Sequence, residues 1–345
     1  MLENNYRYAV LLNKEDGASL GCVALEVDWE PAAEWAWLCS VRKGGVPLVN
    51  GARAASIQPL WDRKAGEPYC RGFRVSVARN GSGKATADFG TSYFRDVASR
   101  VSARFVQQGK LEAGEHFQYA VVALPNNETT EPYARAGFRA DEKEVVLGLT
   151  ESCLSDWVSR ARPIGIVDAD DLPVFIPQQV LDEAAAQTRA EEGRETGGVL
   201  IGKLCHDPAV PDIFATVTAQ IPAEHTRGDA VKLTFTPETW AAVEAAIKLR
   251  GGSEIYLGYW HSHPVREWCK AKECTPEKQK NCALAKDFFS ADDQALLRAV
   301  FPRAYSLGLV VNDTAFADLT FSLFGWREGS VQPRGFYLQE ENHAT

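Results

Sequence analysis

Apolar and polar positions alternate in short runs through the first third of the chain. Residues 8–12, 22–27, 35–41 and 73–78 are rich in β-branched and aromatic types, which predicts strands. Asn80-Gly81 followed by Ser82-Gly83 predicts a hairpin, because both central residues of such turns need positive φ. From residue 93 to 108 the period changes. Phe94, Val97, Val101 and Phe105 recur every three or four positions, which predicts a helix. Residues 116–124 read as another strand, so the first half predicts an α+β domain.

Residues 125–145 are polar and turn-rich, and 151–160 fit a short helix. Pro163 and the acidic Asp168, Asp170 and Asp171 break the pattern, which places a domain boundary there. The expected division is 1–165 and 166–345. In the second part, strand patterns at 198–204, 213–220, 255–263, 307–311 and 317–325 alternate with helical ones at 178–191, 237–250 and 290–300. That alternation predicts an α/β mixed sheet flanked by helices. Neither half shows an internal repeat or a low-complexity segment.

Composition narrows the function classes. With 46 acidic and 37 basic residues, the formal net charge is −9. Such a chain has no general attraction for DNA, RNA or anionic lipid, so no nucleic-acid or membrane partner is expected. Charged residues make up 24% and hydrophobic ones 45%, which excludes disorder over the whole length. No apolar run is long enough to span a bilayer, and Met1-Leu2-Glu3-Asn4-Asn5 does not read as a secretory signal. A cytoplasmic, reducing location is therefore expected for the 8 cysteines.

The sharpest chemical signal is Trp260-His261-Ser262-His263-Pro264. On a strand, His261 and His263 project to one face and can offer two imidazole nitrogens to one metal ion. The plain alternative is a coincidental or surface pair. Ser290-Ala291-Asp292-Asp293 precedes an apolar run, and by itself it reads as a helix-capping box. A carboxylate in that first turn can also reach a metal held by a neighbouring strand. Glu195 leads into the glycine-punctuated run Thr196-Gly197-Gly198-Val199-Leu200. Alone it is a strand-end charge, and the glycines mark close backbone packing. Together these residues make the parts list of a zinc hydrolase with a general base.

In this order, Glu195, His261-Ser262-His263-Pro264 and Ser290-x-x-Asp293 resemble the JAMM (JAB1/MPN/Mov34, or MPN+) zinc metalloproteases, including prokaryotic JAB proteins. The resemblance extends over about residues 172–340 and includes Leu257-Gly258-Tyr259-Trp260 and Gly325-Trp326-Arg327. It implies a cytidine-deaminase-like mixed sheet in the C-terminal domain. It implies Zn²⁺ ligated by His261, His263 and Asp293, with Glu195 as general base and then acid. Ser290 would hydrogen-bond the developing oxyanion. The implied reaction is hydrolysis of the amide after the tail of a ubiquitin-like protein, releasing it from conjugates. E1- and E2-like enzymes are implied partners, in a bacterial conjugation or antiviral-defence setting. Two alternatives stand beside it: maturation of a linear ubiquitin-like or sulfur-carrier precursor, and a non-catalytic MPN scaffold. The N-terminal domain resembles no family and is expected to recognise substrate or partner.

One departure stands out. The family places about seven residues between the second His and the Ser, whereas here residues 264–289 intervene. That insertion carries Cys269, Cys274 and Cys282. It is expected either to fold around a second, structural zinc, with Cys205 or His206 as fourth ligand, or to hold three reduced thiols. Trp260 and Trp268, flanking the histidines, are expected to line a channel to the metal.

Overall fold

The computed structural model describes residues 2–42, 55–64, 67–78, 84–125, 148–191, 193–210, 212–223, 235–275, 277–278, 288–314 and 318–340. The chain forms two compact units, Met1–Leu147 and Gly148–Thr345. The Asn80-Gly81 turn, and all of the 125–145 stretch except Pro125, lie outside the described residues, as does Cys282.

The N-terminal unit contains β1 (Leu2–Asn4), β2 (Tyr6–Lys14), β3 (Ser19–Ala24), α1 (Glu30–Arg42), β4 (Ala55–Lys64), β5 (Glu67–Ala78), β6 (Lys84–Gly90), α2 (Arg95–Gln107) and β7 (Phe117–Pro125). Its strands form two sheets, ordered β1-β4-β5-β6 and β3-β2-β7. Tyr8, Trp29, Phe73, Phe89 and Phe94 supply an aromatic core, with Trp29 edge-on to Phe73 at 4.8 Å. The strand expected at 35–41 is instead part of helix α1. Aromatic Trp35 and Trp37 gave the stretch a strand-like pattern. Ala32, Ala33 and Ala36 favour a helix, however, and Pro31 suits its first turn. The Asp28 carboxylate accepts from the Glu30 N–H at 3.0 Å, at the helix start.

The C-terminal unit begins earlier than expected. Strands β8 (Leu149–Glu151) and β9 (Ala161–Ile164), with α3 (Leu154–Ser159) between them, pair with its sheet, so residues 148–165 belong here. Pro163 sits in a strand at the sheet edge, where its missing N–H costs little. The acidic run is tied into the same unit, since the Arg327 Nε donates to Asp171 Oδ1 at 2.8 Å. The unit continues with β10 (Val174–Pro177), α4 (Gln178–Ala190), β11 (Gly197–Asp207), β12 (Asp212–Pro222), α5 (Pro237–Leu249), β13 (Ile255–His263) and α6 (Val265–Ala271). It closes with α7 (Ala291–Val300), β14 (Leu307–Asn312), β15 (Thr320–Arg327), β16 (Ser330–Arg334) and β17 (Phe336–Gln339).

These strands form one mixed sheet, ordered β16-β15-β14-β13-β11-β12-β10-β17-β9, with β8 beside β11. At its centre, β13 runs antiparallel to β11 and parallel to β14. Strand β14 and residues 257–263 of β13 are buried throughout, as expected of strands covered on both faces. Gly258 has φ +147°, and a Cβ there would lie 1.9 Å from the Leu307 carbonyl oxygen, so only glycine lets β13 approach β14 so closely. No described helix is long and apolar enough to cross a membrane.

Candidate metal centre

Strand β13 ends at the site. His261 and His263 are each 2% exposed, and their Nε2 atoms face each other at 2.9 Å. Two residues apart on a strand, they project to one face. Trp260, on the opposite face, is fully buried, with its indole N–H donating to Gln220 Oε1 at 3.0 Å. It therefore does not line a channel, contrary to expectation. Trp268, on α6, does lie beside the site, 5.6 Å from the His263 ring.

Helix α7 brings the carboxylate. Ser290 and Asp293 form a complete capping box: Ser290 Oγ accepts from the Asp293 N–H at 3.1 Å, and Asp293 Oδ2 accepts from the Ser290 N–H at 2.8 Å. The same Asp293 side chain reaches the histidines. Its Oδ1 is 3.2 Å from His261 Nε2 and its Oδ2 is 3.6 Å from His263 Nε2. The capping reading and the ligand reading thus describe one geometry. Tyr259, which the sequence reading missed, ties helix to strand: its hydroxyl donates to the Asp293 carbonyl at 3.0 Å.

Glu195 precedes β11, whose Gly197 sits opposite His261. Glu195, His263, Ser290 and Asp293 line one cavity of about 640 Å³. Its other walls are mainly apolar and come from Trp268 and Ala271 of α6, Phe288, and Ala295, Leu296 and Ala299 of α7. Phe288 stacks on His263 with centroids 4.2 Å apart and planes 18° apart. The insertion thus supplies part of the wall of the site, through α6 and Phe288. Trp268 was expected in that wall from its place beside the histidines, whereas Phe288 was not legible in advance, because no residue pattern there signals the contact.

Charge is distributed unevenly among these groups. Burial pushes the Glu195 carboxyl up to about 7, with His261 opposing and Asp293 reinforcing the shift. Burial also acts to raise Asp293, but the imidazoles of His261 and His263 beside it outweigh burial and hold the carboxyl well below the usual range. Burial lowers His263, which favours the neutral imidazole. The arrangement therefore holds one carboxylate ionised beside neutral imidazole and leaves a second carboxyl able to exchange a proton near neutrality.

The donor set fits zinc. Two imidazole nitrogens and one carboxylate, all within 4.8 Å of one another, form the only such cluster of three among the described residues. Zinc–donor bonds of about 2.0–2.1 Å in a tetrahedron set donor–donor edges of roughly 3.3 Å. The separations of 2.9, 3.2 and 3.6 Å bracket that value. Three protein ligands leave one tetrahedral position for water or substrate.

Residues 177–267 match the family described as prokaryotic homologs of the JAB domain. The C-terminal unit contains a JAB domain. The matched segment of the JAB domain includes Glu195, His261 and His263, while Ser290 and Asp293 lie beyond it. Among solved structures, that of protein DSY2949 from Desulfitobacterium hafniense aligns at 19% identity with a TM-score of 0.34. The alignment covers 50% of this chain and 97% of that chain. No curated protein matches the chain.

The insertion cysteines are only partly described. Cys269 is buried on α6, and the Cys274 N–H donates to the Cys269 carbonyl at 3.0 Å, so the two share one turn. Cys205 is not their companion. It lies in an apolar cluster with Phe175 and Phe214. It also sits eight residues along β11 from Gly197, about 26 Å from the end that faces His261. His206 is next to it on β11, opposite Glu151 of β8, and is equally remote.

Proposed function

We propose that the JAB domain is a zinc-dependent hydrolase that cleaves the amide following the C-terminal tail of a ubiquitin-like protein and releases it from conjugates. The observation that carries this reading is the convergence of His261, His263 and Asp293 on one point, in a cavity shared with a proton-exchanging Glu195. Zinc held by these three residues would supply Lewis acidity, making water acidic enough to attack an amide near neutral pH. Glu195 takes the proton that the attacking water loses. It then delivers that proton to the leaving amine as the carbon–nitrogen bond breaks.

Ser290 spends a lone pair on the Asp293 N–H, which leaves its hydroxyl proton free to donate to the oxyanion. The apolar walls exclude bulk water and strengthen these charge interactions. The substrate assignment, the cytoplasmic setting and a role beside E1- and E2-like enzymes in bacterial conjugation or antiviral defence follow the same proposal. So does the view that the N-terminal unit recognises substrate or partner.

The test uses the full chain with zinc content measured before assay. Two substrates separate the reactions: ubiquitin fused linearly through its tail, and diubiquitin joined through a lysine. Cleavage that is abolished by Glu195→Gln and by a chelator, and restored by zinc after chelation, is the expected result. Preference for the linear fusion would point to precursor maturation. Zinc binding without cleavage of either substrate would overturn the hydrolase reading in favour of a scaffold.

A further inference from the structure

Each imidazole at the site has a second nitrogen, and what that nitrogen touches decides which tautomer the ring adopts. Strand β14 lies parallel to β13 with Asn312 directly opposite His263. Both residues are 2% exposed. The Asn312 amide is already anchored on one side, its Nδ2 donating to Ser322 Oγ of β15 at 3.2 Å. This leaves Asn312 Oδ1 buried and without a hydrogen-bond partner, and His263 Nδ1 is buried without one as well. An unmatched acceptor and an unmatched ring nitrogen on neighbouring ladder residues are complementary, and buried polar groups are rarely left single.

We propose that Asn312 is the positioning residue of His263: its Oδ1 accepts the Nδ1 proton, and Ser322 holds the amide in that orientation. This inference rests on the zinc reading above. A neutral imidazole has one N–H, so fixing the proton at Nδ1 leaves the lone pair on Nε2, the atom that faces Asp293. The histidine pair is asymmetric in this respect. The ladder residue opposite His261 is Val310, which offers no side-chain acceptor.

Two measurements on the full chain test this. Long-range ¹⁵N–¹H correlation spectra of the metal-free protein report the His263 tautomer directly, and a proton on Nδ1 is the expected result. Zinc affinity is measured by competition with a fluorescent chelator. Asn312→Ala should weaken it 10–100-fold, the usual effect of removing such a partner. Asn312→Asp, which keeps the acceptor, should restore it to within about threefold of native, and Ser322→Ala should fall between the two. An Nε2–H tautomer in the native protein overturns the proposal whether or not the variants fold. So does a folded Asn312→Ala protein that binds zinc as tightly as native. Failure of the native protein to bind zinc would overturn the metal reading instead, and the tautomer would still decide the role of Asn312.

Discussion

The Ser262 hydroxyl accepts the Thr196 N–H at 3.0 Å, while the Ser262 N–H donates to the Thr196 carbonyl at 2.8 Å. The residue between the two histidines thus grips the residue next to Glu195 and fixes the distance between base and ligands. Ser262→Ala leaves the Thr196 N–H without its partner, at a cost of about 1–3 kcal/mol, which the Glu195 segment can relieve only by moving. The expected outcome is a fall in kcat of roughly tenfold or more, because small misplacements of reacting groups cost that much. Zinc content, measured on the same sample, should stay native. Ser262→Thr, which keeps the hydroxyl, should recover most of the activity.

Asp293 has two tasks that different substitutions separate. Asp293→Asn keeps an oxygen to accept from the Ser290 N–H, so α7 should remain capped and metal-free stability should stay near native. Zinc binding should be lost, since the amide is a poor ligand. Asp293→Ala also removes the acceptor of the Ser290 N–H, one half of the capping box, and should cost about 1 kcal/mol more in metal-free stability. Urea denaturation of both variants with chelator present checks the difference.

How much of this was legible in the sequence depended on the range of each signal. His261 and His263 declare themselves because period two on a strand is local, and Ser290 and Asp293 because a capping box spans four residues. The glycines of β11 were read correctly as close packing: a Cβ on Gly198 would lie 2.5 Å from the Ile221 carbonyl oxygen. Asn312 was not legible, because its place beside His263 comes from strand order and not from spacing. The domain boundary was misplaced for a related reason. Asp171 looks like linker charge until Arg327, far along the chain, is seen to bind it. Trp35 and Trp37 misled because aromatic residues suit a strand, whereas this helix is specified by its alanines and its start.

The metal-free protein should show a pH signature from Glu195. Its carboxyl is raised to about 7 in the folded chain from an ordinary 4.5. Between those values the folded state holds a proton that the unfolded chain has released. The contribution is therefore complete below about pH 4.5 and is lost as pH rises through about 7. His263, lowered by burial, gives the opposite slope below its ordinary 6.5. Comparing native and Glu195→Gln proteins isolates the glutamate. Relative to native, the variant should gain stability from pH 5 to pH 8, read from urea midpoints with chelator present.

Gly258 tests the frame that carries both histidines. A methyl group there would meet the Leu307 carbonyl oxygen at 1.9 Å on a backbone with φ +147°. Strain and overpacking together predict a loss of about 3 kcal/mol for Gly258→Ala. The strands would have to separate at the start of the β13–β14 ladder. Zinc affinity should fall along with stability in this variant, unlike in Ser262→Ala.

The cavity beside the ligands offers a separate handle on substrate. Ala299 faces it from the exposed side of α7, so a larger side chain there costs the fold little. Ala299 lies six residues past Asp293, so Ala299→Trp would occupy part of the space of about 640 Å³ between α6 and α7 while leaving the zinc ligands themselves unchanged. If substrate passes through this space, KM should rise about tenfold while zinc affinity and metal-free stability stay native. A rise in KM with kcat preserved identifies the apolar walls as binding surface. Unchanged kinetics would mean that substrate reaches Glu195 from another side, leaving Trp268 and Leu296 to shield the metal ligands from water.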